Sequence, residues 1–277
     1  MSDKILDIKN LSFYYSNPNT DSKQKWVKIF DNVNIDTNVG SVIGIAGKSG
    51  CGKTTLAKAI VNYFSLSGFR ENRDYKIDGK ILFYDGHKSY DINSIDYKKI
   101  SPPPIQMVFQ DPRTSLNMKM KLYDQLKESI KIGDKLSKNN IDSRVNSIAK
   151  DFKILEHLNS TPQDLSGGQR RRFGLAKIIS SNPKLIIADE PVASLDVSIK
   201  QNIMDTLFSL KNRGISIVVI SHDISLLKNN ADFIYVMDNG KIVEKWHTSK
   251  NPQKEETVKL NNDSDYVNQF IKKVSKS

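Results

Sequence analysis

The first forty residues alternate apolar and polar positions. "ILDIKNLSFYY" and "WVKIFDNVNID" carry the two-residue period of half-buried strands, with a polar loop from Ser16 to Lys25 between them. "SVIGIAG" is apolar throughout and reads as a buried strand. From Lys53 the period lengthens, and Leu56, Ile60 and Phe64 fall on one helical face. "KILFYDG" is again strand-like, and "SPPP" at 101–104 forces an extended connection into "IQMVFQD". From Pro112 to about Thr161 the helical period takes over. Leu122, Leu126 and Ile130 make one stripe; Ile141, Val145, Ile148, Phe152 and Leu155 make a second. "GGQRRRFGLAKIIS" reads as a helix stopped at Ser181-Asn182-Pro183. "KLIIAD" and "SIVVIS" are short, apolar, β-branched strands, with a helix from roughly Val197 to Lys211 between them. "FIYVMDNGKIVEKW" is a hairpin turning at Asp-Asn-Gly. The polar stretch 251–277 reads as a short helix and a frayed end.

Strands that alternate with helices imply an α/β chain with a mostly parallel sheet and helices on both faces. Here an antiparallel β portion precedes that core and a helical insert interrupts it. Ligands of such sheets sit at the carboxyl ends of the strands. Three loops belong there: the glycine-rich loop after "SVIGIA", the pair Asp189-Glu190 after "KLIIA", and His222 after "SIVVIS".

Composition narrows the picture. The 277 residues suffice for one large domain or two small ones, and no internal repeat is present. The longest apolar runs are too short to cross a bilayer, and no charged-then-apolar leader opens the chain. The single cysteine, Cys51, excludes an internal disulfide and a four-cysteine metal module, which suggests the cytosol. The formal net charge of +11 is compatible with nucleic acid, an anionic membrane surface, phosphorylated ligands, or simply a lysine-rich surface. The basic residues are scattered among acidic ones, which favours the last; Arg170-Arg171-Arg172 is the one dense cluster.

Gly47-Lys48-Ser49-Gly50-Cys51-Gly52-Lys53-Thr54 satisfies G-x-x-x-x-G-K-[ST], and it sits between a strand and a helix. Its glycines let backbone N–H groups turn inward, the helix dipole points at the same spot, Lys53 adds a full positive charge, and the Thr54 hydroxyl can coordinate Mg²⁺. The loop is therefore expected to hold a polyphosphate. Asp189 is placed to hold Mg²⁺ directly or through water, and Glu190 to polarise a water for attack on the γ-phosphate. His222 ends a strand at the same edge, and Gln110 offers an amide that can reach Mg²⁺ or water.

"LSGGQ" at 165–169, together with "GKSGCGKTT", "LIIADE", "ASLD" at 193–196 and His222 in this order, resembles the ATP-binding cassette (ABC) family over about residues 5–250. "VFQDPRTSLN" and "DEPVASLDVSI" are similar to the ATPase subunits of bacterial oligopeptide, dipeptide and nickel permeases, and "GKSGCGKTTLAKAI" to the second of their paired ATPases. The resemblance implies a P-loop NTPase core over 1–111 and 162–250, an inserted helical subdomain over 112–161, and a polar tail over 251–277. It implies that Tyr15 stacks on adenine, with Tyr14 as an alternative, and that residues 47–54 and Thr55 bind ATP with Mg²⁺. Gln110, Glu190 and His222 would be the linking glutamine, the catalytic base and the γ-phosphate switch. Ser166, Gly167, Gly168 and Gln169 would cap the ATP of an opposite cassette, and Asp196 would lie in the loop crossing between the two sites.

The implied partners are a second ATPase subunit (itself or a paralogue), two transmembrane permease subunits and an extracellular substrate-binding protein. Nucleic acid is not among them, and the implied place is the cytoplasmic face of the membrane. An exporter, a regulatory cassette and a nucleic-acid-linked ABC protein are the competing readings. Arg171 stands where the family often has glutamine and Lys177 where it has arginine, and the "HPYT"-like continuation is missing after Asn251-Pro252.

Overall fold

The computed structural model describes residues 4–17, 26–66, 74–109, 115–133, 138–192, 197–248 and 257–259. In chain order the first elements are β1 (Lys4–Ser16), β2 (Trp26–Asn38), β3 (Val42–Gly47), α1 (Lys53–Ile60), α2 (Tyr63–Leu66), β4 (Tyr75–Asp85), β5 (Lys88–Asp91), α3 (Ile95–Lys98) and β6 (Ile105–Val108). Then come α4 (Leu122–Gly133), α5 (Lys138–Asp151), α6 (Gly167–Ser180), β7 (Leu185–Asp189) and α7 (Val197–Ser209). The last are β8 (Ser216–Ser221), α8 (Ile224–Lys228), β9 (Phe233–Asp238), β10 (Lys241–His247) and β11 (Thr257–Lys259). The chain divides into two compact units. One comprises the described residues through Lys99 and from Ser216 onward; the other is Ile100–Ile215.

The first unit holds an antiparallel sheet in the order β2-β1-β4-β5 and a second run of strands in the order β11-β10-β9-β3-β8. β3 is parallel to both neighbours, β8 and β9, while β9, β10 and β11 pair antiparallel. β3 and β8 are buried at every position, which is why they read as unbroken apolar runs. β1 turns Leu6, Leu11 and Phe13 inward, and each is fully buried. A side chain of this size contributes about 1.5–3 kcal/mol when buried. The Phe13 ring lies 4.7 Å from Phe64, 5.7 Å from Phe30 and 5.9 Å from Tyr75 between centroids. Phe64 reaches this cluster from α2, not from a continuation of α1. α1 ends at Ile60, and Asn62 takes φ 56° before the chain re-enters a helical turn. Asparagine tolerates that left-handed conformation, and its amide donates to the Ile92 carbonyl.

The two sheets of this unit are tied by Tyr235, whose hydroxyl donates to Asp36 Oδ1 at 3.0 Å, and by Lys245, 3.1 Å from the same oxygen. The β9–β10 turn has φ 45° at Asn239 and φ 75° at Gly240, the type I′ geometry that Asn-Gly favours. Within the polar tail, Thr257–Lys259 is a strand paired with β10, an element the sequence reading did not foresee. Three extended residues gain backbone partners on the β10 edge that an isolated polar helix would lack. The other tail residues lie outside the described ones.

In the second unit β6 and β7 run parallel, and α4, α5 and α6 pack on one another. Leu122, Leu126 and Ile130 of α4 and Val145 and Ile148 of α5 are fully buried, as their spacing predicts. The second stripe stops short, because Leu155 is 45% exposed. The cause is a helix stop. Lys153 takes φ 54°, its N–H donates to Lys150 O at 3.0 Å, and the Ile154 N–H donates to Ala149 O at 2.8 Å. These are the paired bonds of a Schellman ending, made around a lysine where glycine is usual.

A left-handed L-residue costs about 1–2 kcal/mol, and glycine returns roughly 0.5–1 kcal/mol of that through unfolded-chain entropy. Lys153→Gly is therefore expected to stabilise the protein by up to about 1 kcal/mol and to raise its thermal midpoint by a few degrees. A lowered midpoint in a thermal melt would contradict this. Among the described residues no helix is long and apolar enough to cross a membrane.

Candidate functional site

In the first unit, β3 delivers Gly47 to the loop that leads into α1. A Cβ at Gly47 would stand 2.3 Å from the Met237 carbonyl oxygen and 2.8 Å from Cys51 Sγ, so only glycine fits. Gly50 and Gly52 take φ 82° and 106°, which turns the chain sharply into α1. Gly52 is the N-cap of α1, with no side-chain cap, and no acidic residue occupies the first turn. The helix thus presents its leading N–H groups and its positive dipole end without a side-chain acceptor.

Lys53 is buried, and its Nζ donates to Gly47 O and Lys48 O, both at 2.8 Å, with Cys51 Sγ at 3.8 Å. The ammonium is thus folded against the carbonyls of its own loop. Lys48, Ser49 and Thr54 are exposed, and Thr55 is half-buried. Burial raises the Cys51 thiol pKa, with the nearby Lys53 opposing it, so this cysteine is a small apolar filler. Such a loop can wrap a polyphosphate with backbone donors and one full positive charge.

β8 pairs with β3 so that Ser221 is level with Ala46, and His222 and Gly47 leave the sheet at the same end. His222 is exposed, on a turn in which the Asp223 N–H donates to Ser221 Oγ at 3.0 Å. Tyr15 sits near the end of β1, half-buried, with its ring edge-on to Phe13 at 4.9 Å and to Phe64 at 6.2 Å. Tyr14 points to the other face of the strand, with Lys28 and Lys76 ammoniums 5.5 and 5.3 Å from its ring. The aromatic cluster therefore ties Tyr15, and not Tyr14, to the helical turn that follows the loop helix.

In the second unit β7 is buried over its whole length and ends at Asp189, which is 5% exposed. Glu190 follows at φ 45°, a strained conformation for a side chain with a Cβ. The β6 register sets Val108 level with Ala188, one residue before Asp189. Gln110 and Asp196 lie outside the described residues.

The "LSGGQ" segment opens α6. Ser166 is the N-cap, and its Oγ accepts from Gln169 N at 3.3 Å while Gln169 Oε1 accepts from Ser166 N at 2.8 Å. This is a complete capping box. Ser166 and Gly167 are exposed, Gly168 is buried, and a Cβ at Gly167 would meet nothing within 4 Å. The Gln169 side chain turns back into the cap. Its Nε2 lies 2.9 Å from His157 Nε2.

The arginine cluster faces inward as well. Arg170 donates to Pro162 O and Leu165 O, both at 2.9 Å, and Arg171, 4% exposed, donates to Phe109 O at 3.1 Å. Lys177 donates to Ser115 O at 2.8 Å, and burial lowers its amine pKa against the opposing pull of Glu128. Both departures from the family pattern, Arg171 and Lys177, thus bind backbone carbonyls. His157 is the residue sequence reasoning missed, and the inward role of Arg171 was not foreseen. A lone histidine twelve positions before the glutamine carries no local signal.

Sequence and structure comparisons identify the family and the fold. The sequence model of the family described as ABC transporter matches residues 30–193. The chain is 36% identical over 251 residues to the oligopeptide transport ATP-binding protein OppF of Streptococcus mutans, covering 87% of this chain and 74% of that one. It is 31% identical over 244 residues to the dipeptide transport ATP-binding protein DppF of Lactococcus lactis, covering 87% and 74%. Among solved structures, cbiO1 of Clostridium perfringens, part of the ABC transporter complex cbiONQ, matches with a TM-score of 0.70 at 26% identity, covering 88% of each chain. The ATP-binding cassette MJ0796, in a dimeric post-hydrolysis state bound to ADP and Pi, matches with a TM-score of 0.70 over 89% of this chain and all of that one; at 22% identity it attests the fold.

Proposed function

The chain belongs to the ABC transporter family, and from that premise we propose that it is the ATP-binding and ATP-hydrolysing subunit of a bacterial importer for oligopeptides or dipeptides. The carrying observation is the likeness to oligopeptide ATP-binding proteins across most of both chains. The loop at 47–54 supports the ATP-binding part, since its uncapped helix start and buried Lys53 suit a triphosphate.

In this reading the Lys53 ammonium exchanges its two loop carbonyls for β- and γ-phosphate oxygens, and Tyr15 offers its ring to adenine. Mg²⁺ supplies charge neutralisation at the β- and γ-phosphates. Thr54 and Gln110 would hold it, with Asp189 reached directly or through water. Their hydroxyl, amide and carboxylate oxygens are the hard donors that Mg²⁺ takes. Glu190 accepts a proton from the attacking water, and His222 senses the γ-phosphate. The exposed Ser166 and Gly167, with Gly168 and Gln169, cap a nucleotide held by a second cassette, identical or paralogous. Asp196 lies where the two sites communicate.

Two ATP molecules would be closed between two cassettes, and hydrolysis would open them. The helical stretch 112–161 would pass that motion to two permease subunits, and an extracellular binding protein would deliver cargo. The chain would then sit on the cytoplasmic face of the membrane. Arg170 and Arg171 donate to backbone carbonyls, which supports scaffolding over a nucleic-acid patch.

The test is uptake. Cells lacking the chain should fail to accumulate a labelled oligopeptide, and the wild-type chain, but not Lys53→Ala, should restore it. Undiminished peptide uptake would overturn the cargo assignment, and lost nickel uptake in its place would move that assignment to a chelated metal.

A further inference from the structure

We propose that His157 is a positioning residue for Gln169: its neutral imidazole, through an unprotonated Nε2, holds the amide so that the capping box at the start of α6 stays closed. The proposal rests on the reading above that this segment caps the nucleotide of a second cassette.

The orientation of the glutamine amide is fixed by its partners. An amide oxygen and nitrogen are easily exchanged in a structure, and the hydrogen-bond network decides between them. Here the Ser166 backbone N–H, which can only donate, lies 2.8 Å from Gln169 Oε1. The atom facing it must therefore be the oxygen. The other terminal atom is then the NH₂ group, a donor with no lone pair to offer. It lies 2.9 Å from His157 Nε2, so that nitrogen must accept. His157 is thereby fixed as the Nδ1–H tautomer, since an imidazolium or the Nε2–H form would set donor against donor.

The backbone on either side of this contact is held in place. The Schellman stop at Lys153 leads into the 3₁₀ turn Leu155–His157, in which the His157 N–H donates to Ile154 O at 3.0 Å. Just beyond, Leu158 O and Ser160 O accept from the Tyr123 and Leu122 N–H groups, both at 3.0 Å, so the turn is tied to the start of α4. Arg170 fixes the far side by donating to Pro162 O and Leu165 O. Between these anchors Gln169 has one backbone partner and one side-chain partner, and His157 is the side-chain partner. Losing it frees the amide to rotate out of the cap and loosens Ser166, whose N–H donates to the amide oxygen.

Two measurements on the full chain test this. In long-range ¹H–¹⁵N spectra of the histidine rings, the His157 Nε2 should resonate as an unprotonated nitrogen, and its shift should move in Gln169→Ala. An Nε2-protonated ring would overturn the proposal. The second measurement takes Glu190→Gln as the parent and follows ATP-driven dimerisation. Adding His157→Ala should raise the ATP concentration needed for dimerisation about three- to tenfold, the equivalent of one neutral hydrogen bond. Binding of a fluorescent ADP analogue to the monomer should not change. His157→Gln, whose carbonyl can accept the same bond, should return dimerisation to near the parent.

Dimerisation unaffected by His157→Ala would overturn the proposal. So would a glutamine variant as weak as alanine with an unchanged melting point. If the Glu190→Gln parent itself never dimerises with ATP, alone or with a paralogous cassette, the two-cassette reading fails instead, and the ring spectra decide the His157 assignment on their own.

Discussion

Glu190→Gln is expected to lower steady-state ATP hydrolysis by about 10²–10⁴-fold, the usual contribution of a positioned general base, while ATP binding persists. The substitution is nearly isosteric. It keeps a Cβ at the same φ of 45°, so the strained backbone after β7 is carried unchanged into the variant. What disappears is the carboxylate that can take a proton from water. Asp189, buried at the end of β7, still stands beside it. The effect should fall on kcat, because the loop at 47–54 that would bind the phosphates is untouched. A variant that hydrolyses ATP within about threefold of wild type would remove Glu190 from the base role, as that margin is far below what such a base supplies.

Gly47→Ala is expected to destabilise the protein by about 2–3 kcal/mol, the upper part of the range for forced overpacking. For a chain of this size that is a drop of roughly 5–10 °C in melting midpoint. The new methyl would meet the Met237 carbonyl oxygen at 2.3 Å and Cys51 Sγ at 2.8 Å. The carbonyl belongs to β9, the parallel neighbour of β3, and has no rotamer by which to move aside. Either the loop or the strand must shift, and ATP affinity should fall with it. Gly50→Ala is the control. Its φ of 82° carries a strain of about 1 kcal/mol, but its Cβ would meet nothing within 4 Å. Equal melting points for the two variants would show that steric contact at Gly47 is not what requires glycine there.

Much of the fold was readable from periodicity. The stripes of Leu122, Leu126 and Ile130 and of Ile141, Val145 and Ile148 lie on α4 and α5, and the apolar runs at 42–47, 185–189 and 216–221 are strands. Periodicity failed where a single residue took a left-handed conformation. Asn62 separates α1 from α2, and Lys153 ends α5 before Leu155 can join the core. A helical stripe records which side chains share a face, not whether the backbone between them stays helical. The strand at Thr257–Lys259 was invisible for another reason: its stabilisation comes from backbone bonds to β10, which leave no hydrophobic signature.

The loop at 47–54 was legible because one chemistry dictates both residue types and spacing. The support around "LSGGQ" was not. His157 and Arg171 act on a backbone or amide that only the folded chain brings near, so their identities carry no pattern along the sequence.

The first unit is assembled from two stretches of chain, with the whole of Ile100–Ile215 made between them. Its central strand β3 lies between β8 and β9, and both come from the second stretch. During synthesis β3 and the loop it carries therefore emerge with neither neighbour in existence. At the usual pace of translation the wait is on the order of ten seconds. Over that interval an unbroken apolar strand has both edges unpaired. The antiparallel sheet of β1, β2, β4 and β5 is complete well before. Nascent chains stalled before Ser216 should thus engage holding chaperones through residues 42–47, and release should coincide with the appearance of β9, long after the loop itself was made.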